Sequence, residues 1–164
     1  GKSSFKTNSE GLTAQVVVCS DSISKGEGED KAGKAIVSKL EELGIKADKI
    51  IIPDEAEEIR SILNKAKTDL VIFTGGTGVG PRDVTPETIE PLLDLKLKGV
   101  EEQMRNYGQQ RMPYAMLSRS VAGIMNGKVV LALPGSTKGA VECMGSIFPH
   151  VLHVFKVMKG KRHD

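Results

Sequence analysis

The chain has no tryptophan, four phenylalanines and two tyrosines, so large aromatic rings cannot organise its interior. Its core must be made of Val, Ile, Leu, Ala and Met. Cysteine is scarce: Cys19 and Cys143 lie far apart in no C-x-x-C spacing. Cys19 ends an apolar run and Cys143 falls in an expected helix, so both read as reduced, buried residues of a cytosolic protein. Charge of one sign is lacking too. A net charge of +2 is too small for a nucleic-acid footprint. No apolar run approaches the roughly 20 residues that span a bilayer, and no secretory signal is visible. What the chain has is glycine, 18 residues of it and much of it clustered, as where backbone must approach a ligand closely. Its 164 residues suit one domain, expected over 13–158. Residues 1–12 are expected to be a linker end or expression remnant, and 159–164 a basic solvated tail.

Apolar runs alternate with helical periodicity. Ala14–Cys19 is expected as a first strand, followed by a polar loop, Ser20–Glu29. Asp30 can cap a helix with apolar positions Ala32, Ile36, Val37, Leu40 and Leu43, stopped by Gly44. Lys49–Ile52 is the second strand, Glu55–Lys67 a helix, and Leu70–Thr74 the third strand. Thr85-Pro86-Glu87 reads as a helix start, with Thr85 as the capping hydroxyl. Further helices are expected over 100–110 and 138–158. Asn126-Gly127 has the chemistry of a two-residue turn between strands at 122–125 and 128–133. The order predicts a three-layer α/β domain: a mostly parallel open sheet, helices on both faces, and a small β-hairpin excursion.

In such sheets ligands bind beyond the carboxyl ends of the strands. Four unusual segments then share one edge: Ser20-Asp21-Ser22, Asp54, Gly75–Gly78 and Pro134-Gly135-Ser136. Glycines 75, 76 and 78 allow backbone N–H groups to form an anion-binding nest, with Thr74 and Thr77 adding hydroxyls. A single glycine pair would be read as a tight turn; three in four positions after a buried strand favour a ligand. Two nucleotide motifs fail. Gly28–Lys34 matches G-x-x-x-x-G-K, but Ala35 stands where a Mg²⁺-binding hydroxyl belongs. Pro81 stands where a dinucleotide fingerprint needs glycine. Asp54 and Asp83 facing phosphates would repel them unless a hard cation intervened, which implies Mg²⁺. Taken alone, Asp54 reads as a helix-capping loop acid and Asp83 as a partner of Arg82 or a turn acceptor. His150 and His153, at i and i+3, have no further ligand beside them and read as surface or interface residues.

Thr74-Gly75-Gly76-Thr77-Gly78 followed by Pro81-Arg82-Asp83-Val84-Thr85-Pro86-Glu87 resembles the signature of the molybdopterin adenylyltransferase family, which includes the gephyrin G domain. The likeness extends to Ser20-Asp21-Ser22, Pro53-Asp54-Glu55, Ser118-Arg119-Ser120 and Leu133-Pro134-Gly135-Ser136, covering about residues 14–158. It implies a cytoplasmic homotrimer that joins molybdopterin to the AMP moiety of ATP with Mg²⁺, releasing pyrophosphate. On that resemblance, Asp54 and Asp83 are the catalytic and metal-holding pair. Thr74, Gly75, Gly76, Thr77, Gly78, Arg82, Ser118, Ser120, Pro134, Gly135, Ser136 and Lys138 fall on the molybdopterin side. Ser20, Asp21, Ser22, Asp30 and Gly33 fall on the nucleotide side. A branch thought to have lost activity has a degraded Arg-Asp-Val-Thr-Pro segment, which is intact here, although the Pro-Gly-Ser-Thr-Lys run resembles that branch and gephyrin. An inactive pterin-binding or scaffold module is the alternative, as is a nucleotide-dependent enzyme with another phosphorylated substrate. Fusion to another enzyme of the same pathway is also compatible with residues 1–12.

Overall fold

In the computed structural model, which describes residues 11–160, six strands form one sheet in the order β2-β1-β3-β6-β5-β4. These are β1 (Thr13–Cys19), β2 (Lys46–Ile52), β3 (Leu70–Thr74), β4 (Leu95–Lys96), β5 (Val121–Met125) and β6 (Lys128–Leu133). Strands β2, β1, β3 and β6 are parallel, and β5 and β4 complete an antiparallel edge. Every residue of β3 and β6 is buried, which is why both read as continuous rather than alternating apolar runs.

Alternate side chains of these strands feed two separate cores. Val16, Leu70, Ile72 and Leu131 pack with Ile36 and Leu40 of α2 (Ala32–Glu42), Met104 of α5 (Lys98–Gln109) and Met144 of α6 (Thr137–Ile147). Val17, Val71, Phe73 and Val130 pack on the other face with Ile59 and Leu63 of α3 (Ala56–Lys65) and Ile89 of α4 (Thr85–Ile89). Helices therefore cover both faces, as the alternating pattern implies. Gly44 ends α2 with a φ of 79°, a conformation that favours glycine.

Several local expectations are revised. The β1–β2 ladder begins at Thr13↔Lys46, so β2 starts three residues before the expected Lys49, its first residues held by backbone pairing and by Ala47 packing on the core. The loop after β1 contains a short helix, α1 (Asp21–Ser24), capped by Ser20, whose hydroxyl accepts from the Ile23 N–H. Thr85 does not cap α4; it is fully buried and its hydroxyl donates to the Gly75 carbonyl. The Asn126-Gly127 turn has both residues at positive φ, and its strands are integral to the sheet, with β6 beside β3. The last helix breaks after Ile147. Pro149 has no N–H to donate and holds Phe148 in an extended conformation, and a 3₁₀ turn then leads to α7 (Val154–Met158). Residues 1–10 and 161–164, most of the expected linker and tail, lie outside the described residues; Leu12 packs on the core.

Candidate active site

The parallel strands β1, β2, β3 and β6 end on one edge, and their following loops meet there around a cleft of about 410 Å³. Its floor is main chain. Gly75 and Gly76 leave β3 with φ of 99° and 69°. A Cβ on Gly75 would overlap the Cys19 carbonyl, and one on Gly76 would overlap the Thr85 hydroxyl. A Cβ on Gly135 would lie 3.1 Å from the Gly75 Cα. Three loops thus touch backbone to backbone because no side chain separates them. The Gly75 N–H donates to Leu133 O at 3.1 Å, and Thr74 Oγ1 donates to Pro134 O at 2.7 Å. Thr74 therefore turns its hydroxyl proton into the protein.

Asp54 and Asp83 line the cleft as acids, and Asp21 backs Asp54 from outside it. Asp21 and Asp54 exchange hydrogen bonds: the Asp21 N–H donates to Asp54 Oδ2 at 3.1 Å, and the Asp54 N–H to Asp21 Oδ1 at 2.9 Å. Arg82 donates to both oxygens of Asp21, at 3.0 and 3.1 Å, and to Glu55 at 2.8 Å. The guanidinium holds the Asp21 carboxyl down, to about 2. Asp54 is pushed the other way, raised chiefly by burial and further by the charges of Asp21 and Asp83. Its Oδ1 is buried and has no hydrogen-bond partner. Asp83 lines the same cleft, and its Oδ2 accepts from the Gly80 N–H at 2.8 Å. The Cys19 thiol at the cleft floor is pushed up to about 12 by burial, so it stays protonated and unreactive at neutral pH.

The sequence-derived residues divide between this cleft and a neighbouring cavity. Ser20, Asp30, Asp54, Thr74, Gly75, Gly76, Asp83, Gly135 and Ser136 line the cleft. Ser118, Ser120, Pro134 and Ser136 line a second cavity of about 150 Å³, so Ser136 borders both. Ser136 also caps α6, its hydroxyl accepting from the Gly139 N–H. The Thr77 and Ser118 hydroxyls lie 3.1 Å apart. Asp30 is buried, caps α2 through the Gly33 N–H at 2.7 Å, and pairs with Lys49 at 2.5 Å. Gly33 is packed under that carboxylate. Gly78, Arg82, Asp21, Ser22 and Lys138 line neither space; Gly78 packs behind Asp83, Arg82 acts on Asp21, and Ser22 and Lys138 are exposed.

Arg119 was not singled out by sequence, yet it clasps the glycine loop. Its guanidinium donates to Gly78 O at 2.6 and 3.0 Å and to Asp83 O at 3.0 Å, and pairs with Glu87; its backbone N–H donates to Thr77 O at 2.8 Å. The only sequence signal was its place in Ser118-Arg119-Ser120. Glu142, in the second cavity, left no signal. Among the described residues no group of three or more His, Cys, Asp or Glu could hold a metal by itself. His150 and His153 are accordingly not part of such a group. No helix among the described residues is long and apolar enough to cross a membrane.

An α/β sheet with glycine-lined loops and neighbouring carboxylates at its carboxyl edge has the architecture in which ligands bind beyond the strand ends. The chain belongs to the family described as the probable molybdopterin binding domain, whose model matches residues 15–153. It is 38% identical over 152 residues to a molybdopterin adenylyltransferase of Helicobacter pylori, covering 88% of this chain and 86% of that protein. It is 35% identical to a molybdenum cofactor biosynthesis bifunctional protein of Chlorobaculum tepidum and to gephyrin of Dictyostelium discoideum. Those alignments cover 90% and 98% of this chain, but the chain spans only 49% and 24% of those two longer relatives. Among solved structures, a molybdopterin biosynthesis protein from Mycobacterium abscessus superposes with a TM-score of 0.85 at 32% identity, covering 91% of this chain and 97% of that one.

Proposed function

We propose that this domain transfers AMP from ATP to the terminal phosphate of molybdopterin with Mg²⁺, giving adenylyl-molybdopterin and pyrophosphate. The observation that carries the proposal is the partnerless buried Oδ1 of Asp54, beside Asp83 and facing a main-chain cradle. A buried carboxylate oxygen without a donor is costly, and a second carboxylate nearby raises that cost. Oxygen donors of this kind fit a hard cation completed by phosphate oxygens and water. Mg²⁺ held by Asp54 and Asp83 would neutralise charge on the phosphates.

A molybdopterin phosphate oxygen forms the new bond to the α-phosphorus of ATP. The bond from that phosphorus to the β-phosphate bridging oxygen breaks, and pyrophosphate leaves with the electron pair. Such chemistry needs alignment more than covalent help. The Gly76 backbone and the α6 start at Ser136 receive phosphate, whereas the Gly75 N–H is already given to Leu133 O. Arg82 fixes Asp21, Asp21 fixes Asp54, and Arg119 fixes the chain between Gly78 and Asp83. Close relatives named molybdopterin adenylyltransferase support this reading over an inactive module, as does the intact Arg82–Pro86 segment.

Purified protein incubated with molybdopterin, ATP and Mg²⁺ should yield adenylylated pterin and equimolar pyrophosphate. Pterin binding without product would establish the scaffold alternative instead. The same reading includes a cytoplasmic homotrimer, expected to scatter light at about three times 17.6 kDa. Relatives that carry such a domain inside longer proteins favour a place beside other enzymes of molybdenum cofactor synthesis.

A further inference from the structure

Next to the phosphate cleft, α5, α6 and the chain between them enclose the second cavity, walled by Met104, Met112, Tyr114, Ala115, Pro134 and Gly139. Besides these apolar groups the wall carries Ser118, Ser120, Ser136, the half-buried Arg105 of α5 and one acid, Glu142 of α6. Its Oε2 is buried and has no hydrogen-bond partner. Burying an acceptor with no donor is unfavourable, so its persistence beside a ligand cleft points to a donor brought by the ligand. A cavity of about 150 Å³ accepts a benzene-sized ring. Ser136 lines both spaces, so a ring lodged here lies on the path to the phosphate site.

We propose that Glu142 is a specificity-determining residue that reads the 2-amino, N3–H edge of the pterin ring inside this cavity. A carboxylate is acceptor-only and matches two adjacent N–H donors. The pyrimidine half of a pterin presents such a pair. Adenine presents an amino donor beside a ring-nitrogen acceptor, which would face Glu142 oxygen to lone pair. The carboxylate therefore sorts the two heterocycles of the reaction: pterin to the apolar cavity, adenosine to the polar cleft. The inference rests on a pterin substrate, as proposed above.

The test uses two phosphate-free fluorescent probes, 6-hydroxymethylpterin and lumazine, titrated into the parent and Glu142→Gln. Lumazine replaces the 2-amino donor with an oxygen acceptor. The glutamine amide supplies one acceptor and one donor, which suits lumazine. The parent should prefer the pterin probe, and Glu142→Gln should weaken its binding by at least about tenfold while binding lumazine more tightly than the parent does. Because the buried Oε2 has no hydrogen bond to lose, the variant should melt no lower than the parent. Equal pterin affinity in the two proteins, or a lowered melting point with no change in preference, would overturn the assignment. Parent protein that shows this preference but makes no adenylylated product would instead sink the enzymatic reading and leave Glu142's role standing.

Discussion

The two walls of the cleft are built by opposite means. On the β3–β6 side, Gly75, Gly76 and Gly135 hold shape by backbone contact, with Thr74 and Thr85 tying loop to loop through single hydroxyls. On the β1–β2 side, shape comes from charge: Arg82, Asp21, Glu55 and Asp54 hold one another across short loops. The first wall is neutral and dense, so main chain can lie close to a ligand there without repelling an anion. The second is acidic and partly solvated, which suits a cation between protein and phosphate. Substitutions should therefore fail differently on the two walls: by steric collapse on one, by altered ionisation on the other.

Gly75→Ala should have the largest effect. A Cβ there overlaps the Cys19 carbonyl, in a backbone conformation with φ of 99° that alanine resists. The clash is with main chain of β1, which cannot move without breaking its pairing. A loss of more than about 4 kcal/mol is expected, read from urea unfolding. A variant within 1 kcal/mol or so of the parent would show that the glycine wall is loosely packed.

Asp83→Asn comes next and belongs to the other kind of failure. The shape and the acceptor for the Gly80 N–H survive, while the charge is lost. Adenylyl transfer should fall by about 10²-fold or more, with pterin binding held or slightly tightened. Near-parental turnover with unchanged Mg²⁺ dependence would make Asp83 a turn residue only.

The neutral wall was the more legible of the two. Leu70–Thr74 is an uninterrupted apolar run ending in glycines, and each residue type there has one physical use. Asn126-Gly127 was as clear, since few other residues accept positive φ at both positions. What escaped depended on partners distant in sequence. Thr85 looked like a cap because its bond to Gly75 O is tertiary. Arg119 reaches Gly78 across 41 positions, and no local pattern marks an arginine that will donate to carbonyls. The two residues of β4 exist only because β5 lies beside them. Apolar periodicity runs on both sides of Pro149, and the single helix expected over 138–158 ends before it, where the proline has no N–H to give.

On stability, Asp54→Asn should have a smaller effect than Gly75→Ala, and of opposite sign. Burial and neighbouring acids raise the folded-state pKa of Asp54 above its unfolded value. The folded protein then binds the proton more tightly, so this contribution to stability is present at low pH and lost as pH rises through the folded pKa. At pH 7 the asparagine variant should melt higher than the parent. The gap should close in acid, where Asp54 is protonated. A variant that melts lower at pH 7 would mean that the carboxylate is stabilised by contacts other than those seen.

Arg82→Ala should be the mildest change to the fold, because its ion pairs are exposed and such pairs contribute little at neutral pH. Its signature is in acid. Asp21 is held at about 2, chiefly by the Arg82 hydrogen bonds and then by the Asp54 N–H. A depressed folded pKa contributes stability above the unfolded value, near 4, that is lost as pH falls toward 2. Without Arg82, that acid-side loss should shrink, so parent and variant should converge in stability as pH drops from 4 to 2. Activity should respond more than stability does, since Asp21 loses the group that orients it and Asp54 in turn loses a fixed donor. Retained turnover together with an unchanged acid unfolding curve would show that the charged wall holds its shape without Arg82, and that the difference between the walls is one of composition alone.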